Sequence, residues 1–261
     1  MDTIAAETAR LIHENWRAGT VIDGLPDRLK PADRAAGYAA QAAFQELTGR
    51  GRVGWKIAAT SVAGQKHIGV DGPLAGRLLE GAILADGAET SLATNRMRVA
   101  EPEFAFRFGE ALPARAAPYS PDEVLARVAS LHLAIEIPDS RFADFATVGG
   151  PALIADNACA RQLVLGEAVA FDWRSLDLAA HAMEGAVAGR YTRQGRGANV
   201  LGDPRIALAW CANELSALGL GLLAGEFVTT GTCATPLELE PGDDVRMDFG
   251  PLGAISVSIA P

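Results

Sequence analysis

The ten residues Val-Ala-Glu-Pro-Glu-Phe-Ala-Phe-Arg-Phe at 99–108 constrain the fold of this chain more than any other stretch. Successive side chains on a strand point to opposite faces. Pro102, Phe104, Phe106 and Phe108 therefore share one face, and a face that aromatic has to be core. Glu101, Glu103 and Ala105 share the other. Two carboxylates are then held about 7 Å apart along the backbone. Like charges that close repel unless a proton or a cation sits between them.

Leu-His-Leu-Ala-Ile-Glu-Ile at 131–137 repeats the design. Leu131, Leu133, Ile135 and Ile137 form an apolar face, and His132, Ala134 and Glu136 form its reverse. Glu136 is a single acid in a strand too apolar for the surface, so it needs a partner. In one reading Glu101, Glu103 and Glu136 converge on a cation. An all-oxygen set favours Mg²⁺ or Mn²⁺ over zinc, and three carboxylates leave positions open for water and a chelating substrate. In the other reading Glu101 and Glu103 line a solvated edge and Glu136 pairs with an arginine.

Lysine usage sharpens a second position. Lys30, Lys56 and Lys66 are the only lysines among 23 basic residues, so this chain takes its surface charge from arginine. Lys56 lies inside the apolar strand Gly54-Trp-Lys-Ile-Ala-Ala, followed by Thr60 and Ser61. It either ion-pairs with a substrate carboxylate and moves protons, or packs its stem and pairs with a structural acid. The Thr60 and Ser61 hydroxyls either hold a ligand or cap the next helix. Asp139 is expected to cap a short helix, Arg141 to pair with an acid, and Asp156-Asn157 to form a turn or orient ligand-bearing strands. Thr229-Thr-Gly-Thr-Cys233 ends a strand as ligand loops and ordinary turns both do. The four histidines form no metal-ligand spacing, Gly195-Arg-Gly197 lacks the context of a dinucleotide site, and no G-x-S-x-G elbow is present.

The remainder sets the frame. With 261 residues, 49% of them hydrophobic, the chain can bury a large core without disulfides. The net charge of −9, without a basic run, argues against nucleic acid and against an anionic membrane surface. No apolar run approaches the roughly 18–20 residues that span a bilayer. Cys159, Cys211 and Cys233 are too dispersed for a metal motif. With no signal-peptide pattern at the N-terminus, a cytoplasmic location is expected. Residues 1–50 read as a helical region, with helices through Ile4–Trp16 and over 32–47. Residues 51–261 read as a β-rich domain, which the resemblance given below makes the catalytic one, with strands at 53–58, 98–108, 130–137, 162–165, 185–191, 227–230, 244–249 and 255–259. Helices are expected at 121–129 and 204–218, the latter burying Ile206, Leu208, Ala209 and Leu215. The class is α+β, a mixed β-rich core with an N-terminal helical layer.

Taken in order, several segments resemble the 2-keto-4-pentenoate hydratase / 4-oxalocrotonate decarboxylase family of the fumarylacetoacetate hydrolase superfamily. They are GWKIAATS (54–61), IGVDGPLAGRLLE (68–80), VAEPEFAF (99–106), AIEIPDSRF (134–142), ADNA (155–158), LGDPRIALAWCANELSALG (201–219), TTGT (229–232) and the closing GDDVRMDFGPLGAISVSI. The resemblance covers most of the chain beyond about residue 50. It implies a fumarylacetoacetate hydrolase-like fold, with Mg²⁺ or Mn²⁺ on Glu101, Glu103 and Glu136. It also implies catalytic roles for Lys56 and Glu136, and a substrate pocket touching Lys56, Ser61, Leu74 and Thr232. No organic cofactor is implied. The implied activity is a metal-dependent lyase adding water to a 2-hydroxy-2,4-dienoate or 2-oxo-4-pentenoate acid in meta-cleavage degradation of aromatics. The partners implied are a homo-oligomer and a sister pathway enzyme.

One departure keeps alternatives open. After Gly-Val-Asp, hydratases of this family often carry an acid where this chain has Leu74. Its absence leaves 4-oxalocrotonate (2-oxo-3-hexenedioate) decarboxylation as the alternative. A further alternative is a non-catalytic member that binds a metabolite or supports a partner. Carbon–carbon hydrolysis ranks third among reactions, because His67 has no glutamate following it.

Overall fold

The structure is a computed structural model, and it describes residues 3–261. Helix α1 (Thr3–Ala18) and helix α2 (Arg34–Thr48) form the N-terminal layer. The Asp33 side chain caps α2 by accepting from the Ala36 amide, and Gly49 closes it in the left-handed region. Ala5, Thr8, Ala9 and Ile12 of α1 are buried, and Thr8 satisfies its hydroxyl by donating to the Leu29 carbonyl. Ile4, expected on that face, is exposed.

The strands are β1 (Arg52–Ala58), β2 (Leu74–Leu79), β3 (Ile83–Ala85), β4 (Glu89–Thr90), β5 (Val99–Phe108), β6 (Val128–Ile137) and β7 (Gln162–Ala168). They continue with β8 (Ala182–Val187), β9 (Tyr191–Arg196), β10 (Phe227–Thr232), β11 (Leu237–Glu238), β12 (Asp244–Asp248) and β13 (Ala254–Ile259). Helices α3 (Val62–His67), α4 (Pro121–Leu125), α5 (Gly150–Ala155) and α6 (Pro204–Ala217) intervene. Helix and strand are nearly balanced in this mixed fold, at 30% and 31%.

The larger sheet has eight strands in the order β2-β1-β10-β5-β6-β7-β3, with β11 pairing β5. The smaller has five, in the order β4-β13-β12-β8-β9. The larger sheet is curled. Phe104, Phe106 and Phe108 enter an apolar core shared by the helices and both sheets, which also holds Ile12, Phe44, Trp55, Met247 and Phe249. The opposite face of β5 and β6 is buried as well, because Ala105, Ala134, Leu78 and Leu163 pack there.

Local patterning misplaced several elements. The expected strand at 185–191 is two strands, β8 and β9. The apolar run through Ala186, Val187 and Ala188 continues into a hairpin turn at Gly189, whose φ is +70°. The helix expected over 121–129 stops at Leu125, because Val128 pairs with Phe108 and starts β6. Ile206 is exposed, and α6 buries Ala207, Leu208, Cys211, Ala212 and Leu215 instead. Strand β2 was not foreseen; its Leu74-Ala-Gly-Arg-Leu-Leu pattern does not alternate, since it is buried on both faces.

Candidate metal and substrate site

Antiparallel pairing of β5 with β6 sets Glu101 directly opposite Glu136 and Glu103 opposite Ala134. Like charges facing across a ladder destabilise it. Here three of them meet: one carboxylate oxygen from each of Glu101, Glu103 and Glu136 lies within 4.8 Å of the others. Glu103 and Glu136 are fully buried, and Glu101 is partly exposed to a neighbouring cavity.

Few donors serve this cluster. The Gly231 amide donates to Glu103 Oε2 at 2.9 Å. Glu103 Oε1 and both oxygens of Glu136 have no hydrogen-bond partner. Lys56 Nζ lies 2.9 Å from Glu136 Oε1, as an ion pair that is off the hydrogen-bond direction. Burial and the Glu136 charge raise the pKa of Glu101 to about 7, against the opposing pull of Lys56. Burial and the two neighbouring carboxylates push Glu103 well above the usual carboxylate range. Burial by itself would depress Lys56, but the charges of Glu136 and Glu101 outweigh it and hold the ammonium above its usual value.

The curl of the sheet makes this meeting possible. Lys56 stands on β1, three strands from β6. A flat sheet would separate the two backbones by about 14 Å. The lysine amine crosses the concave side and also donates to the Ala158 carbonyl at 3.1 Å. That carbonyl comes from an unusual turn in which Asn157, Ala158 and Cys159 have φ of +56°, +49° and +63°. Non-glycine residues rarely adopt this region, so the surroundings must hold the turn in place. Asn157 does so by pairing both side-chain atoms with the backbone of Arg77, at 2.7 and 2.9 Å. Gly76 lets the turn approach, since a Cβ there would lie 2.3 Å from the Asn157 carbonyl oxygen.

Gly231 serves the other side. Its φ is +96°, and a Cβ would lie 2.0 Å from Thr60 Oγ1. Only glycine brings this amide onto Glu103. Beside the trio opens a cavity of ≈680 Å³. Its walls are mostly apolar, and they include Ile57, Leu74, Met97, Val99, Phe145 and Leu153.

No protein-family model matches the chain. A 2-keto-4-pentenoate hydratase of Burkholderia vietnamiensis is 32% identical over 257 residues, covering 97% of this chain and 96% of the relative. A 4-oxalocrotonate decarboxylase of a Pseudomonas species is 33% identical over 210 residues, or 80% and 79% of the two chains. The chain belongs to the 2-keto-4-pentenoate hydratase / 4-oxalocrotonate decarboxylase family. The fold agrees. The structure of a 4-oxalocrotonate decarboxylase from Pseudomonas putida G7, complexed with magnesium and adipate, superimposes with a TM-score of 0.88. It is 24% identical and covers 98% of this chain and 97% of its own.

Within this family member, all seven residues singled out from the sequence lie together. Lys56, Ser61, Leu74, Glu101 and Thr232 line the cavity, with Glu103 and Glu136 clustered beside Glu101. The solvated-edge alternative for the glutamates does not hold, because the reverse face of β5 is covered. Two hydroxyls have local duties. Ser61 caps α3 by accepting from the Gly64 amide, which leaves its own proton free to donate. Thr232 donates to the Ala234 carbonyl and can only accept from a ligand. Leu74 is buried and begins β2 at the cavity wall.

Other expectations change. Asp139 caps no helix. It accepts from the Arg96 and Met97 amides and pairs with Arg141 and Arg161. Of the two places expected for His132, beside Glu136 or in the core, it takes the second: it is buried four residues along β6 from Glu136, bonded to Ser130 and the Gly166 carbonyl. Sequence reasoning missed the Ala158 carbonyl and the Gly231 amide. Backbone groups carry no residue-type signal, and only Asp156-Asn157 and the Thr-Thr-Gly-Thr run pointed to their neighbourhoods.

Proposed function

We propose that this chain is a divalent-metal-dependent lyase. It adds water to a 2-hydroxy-2,4-dienoate or 2-oxo-4-pentenoate acid in the degradation of aromatic compounds. The observation that carries this reading is the trio of carboxylates with three unsatisfied oxygens at the edge of an apolar cavity. Relatives support the same direction, among them a 2-hydroxyhexa-2,4-dienoate hydratase of Comamonas testosteroni, 33% identical over 216 residues.

The donor set fits a hard cation. All three candidate ligands are carboxylates, each with one oxygen within 4.8 Å of the others, and an all-oxygen set suits a hard dication. Glu101, Glu103 and Glu136 would hold Mg²⁺ or Mn²⁺. When bound, such an ion supplies Lewis-acid polarisation of a 2-oxo group. Lys56 holds its proton firmly, so it serves as a cation and hydrogen-bond donor to the substrate rather than as a base. It is aimed by the Ala158 carbonyl and Glu136 toward whatever occupies the cavity. The Ser61 hydroxyl can donate to a substrate oxygen. Leu74, Ile57 and Val99 exclude bulk water and take the hydrocarbon part of the substrate.

Hydration is favoured over decarboxylation by the charge of the cavity. Among the described residues the only basic side chains lining it are Lys56 and His67, and Lys56 is already paired with Glu136. His67 is exposed and stacks edge-on with Phe145. A dicarboxylic substrate such as 2-oxo-3-hexenedioate would have no buried cation for its second carboxylate. One feature favours decarboxylation instead: Leu74 supplies no acid to activate water. The superfamily is that of fumarylacetoacetate hydrolase, and the same reading includes a homo-oligomer, association with a sister enzyme and a cytoplasmic location. Among the described residues no helix is long and apolar enough to cross a membrane.

The deciding experiment follows the dienol absorbance of 2-hydroxypenta-2,4-dienoate with added Mg²⁺ or Mn²⁺, and then the product mass. Loss of the band with gain of one water is expected. Turnover only of 2-oxo-3-hexenedioate, with release of CO₂, would select the decarboxylase. Undiminished activity after chelation would remove the metal from the mechanism. Lys56→Ala is expected to lower kcat far more than it lowers stability.

A further inference from the structure

A second cavity, of ≈660 Å³, lies between the N-terminal helices and the β2–β3 region. It has the opposite character to the first. Arg17, Arg50, Arg77 and Arg161 line it together with His13 and Asn157, and among the described residues no carboxylate does. The chain as a whole carries −9, so four guanidinium groups converging on one hollow run against its overall balance.

The pairing of these arginines is incomplete. Arg161 is committed to Asp139 and to the Thr94 hydroxyl. Arg77 is half-buried; its Nε donates to Gln41 at 3.2 Å, its Nη1 donates to Gln45, and its guanidinium lies 5.2 Å from the centre of the Trp55 ring. Those partners are neutral, and among the described residues no acid lies within ion-pair distance of it. Arg17 and Arg50 are exposed at the mouth and make no ion pair among the described residues. Burial and the neighbouring Arg52 lower the pKa of Arg77 to about 10, and burial and Arg17 lower that of His13. Burial is the larger cause in both cases, and a neighbouring cation adds to it.

We propose that this cavity is a second ligand site, which binds a small oxyanion carrying two or more negative charges. Arginine is the side chain suited to it, because its planar fork meets carboxylate and phosphate oxygens in pairs. Arg77 forms the floor, Arg17 and Arg50 close the mouth, and His13 adds a donor. The two cavities share a wall. Asn157 faces the second, while Ala158 and Cys159, the next residues of the left-handed turn, face the first.

The shared chemistry is a dianion, and a phosphate and a dicarboxylate are separate sources of it. Thermal unfolding of the full chain with Mg²⁺ would therefore be followed against inorganic phosphate and, separately, against succinate. Sodium chloride at matched ionic strength is the control. A saturable stabilisation beyond chloride is expected with at least one probe, and the stronger of the two identifies the source. Arg17→Ala/Arg50→Ala, which removes two exposed and unbonded side chains, should weaken that binding about tenfold or more. Arg17→Lys/Arg50→Lys should recover part of it. Glu103→Gln, which disables the other site, should leave it intact. The proposal is overturned if neither probe saturates, if the double alanine variant binds like the parent, or if Glu103→Gln abolishes the effect. A change in molecular mass by light scattering in the double variant would instead make the arginines a subunit contact, and would equally overturn it.

Discussion

Two groups of buried acids, Glu103 with Glu136 on β5 and β6 and Asp139 with Asp156 beyond the end of β6, have partners that differ completely. Asp139 and Asp156 are saturated. Asp139 takes two backbone amides and two arginines. Asp156 accepts from the Trp16 indole at 2.8 Å, the Ser140 hydroxyl at 2.6 Å and the Arg141 amide at 2.8 Å. Glu103 and Glu136 leave three oxygens without a hydrogen bond, one of them met only by the Lys56 ion pair. Burying a carboxylate without donors costs free energy, which a proton or a bound cation relieves. Burial is common to both groups, so it does not mark function. The unfilled set of donors is what separates the two groups.

The contrast breaks first at Asp139. Asp139→Ala would leave Arg141, which is fully buried, without its acid. A loss of about 3–5 kcal/mol is expected in urea unfolding. A loss below about 1 kcal/mol would mean that the saturated group is not structural. Glu101→Gln should do the reverse. It should cut kcat about a thousandfold, several kcal/mol of Lewis-acid stabilisation, while metal-free unfolding is unchanged or improved because one repulsive charge has gone. If metal-free stability collapses and turnover survives, the two groups are alike after all.

Gly231→Ala tests the donor side at a smaller scale. The new Cβ would collide with Thr60 and displace the amide that serves Glu103. Mg²⁺ affinity by calorimetry should fall about ten- to a hundredfold. Unchanged affinity would make that amide irrelevant to the trio.

The smallest effect is a pH trend. Glu101 has a folded pKa of about 7 against its usual 4.5. A raised carboxylate pKa contributes stability that is present below the unfolded value and lost as pH rises through the folded one. Metal-free protein should therefore lose melting temperature between about pH 5 and 8, while the stabilisation added by Mg²⁺ grows over the same interval. A flat Mg²⁺ increment across that range would show that the trio is already ionised without metal.

Much of this was legible before any coordinates. The period-two pattern of β5 and β6 fixed which residues share a face, because pleat geometry is local. A chain so sparing of lysine marked Lys56 for the same reason: a charged side chain in an apolar strand needs a counter-charge wherever the strand goes. Non-alternating β2, the two strands hidden in the run at 185–191, and the exposed Ile206 were not legible. Each depends on which neighbour covers a face, and the residues themselves do not state that. Ala158 was the hardest to find, since a carbonyl offered by a left-handed turn depends on Asn157 gripping the backbone of Arg77.

The sequence by itself determined which face of its strand each of three glutamates and one lysine takes, since alternation follows from the backbone period alone, while leaving open whether the glutamate face of β5 is covered. Only the tertiary structure decided that they meet. The β5–β6 register sets Glu101 opposite Glu136, the curl of the sheet carries Lys56 across three strands, and the scarcity of donors leaves the carboxylates incomplete. Register, curvature and donor supply are set by contacts between segments far apart in the chain, so no local pattern can encode them.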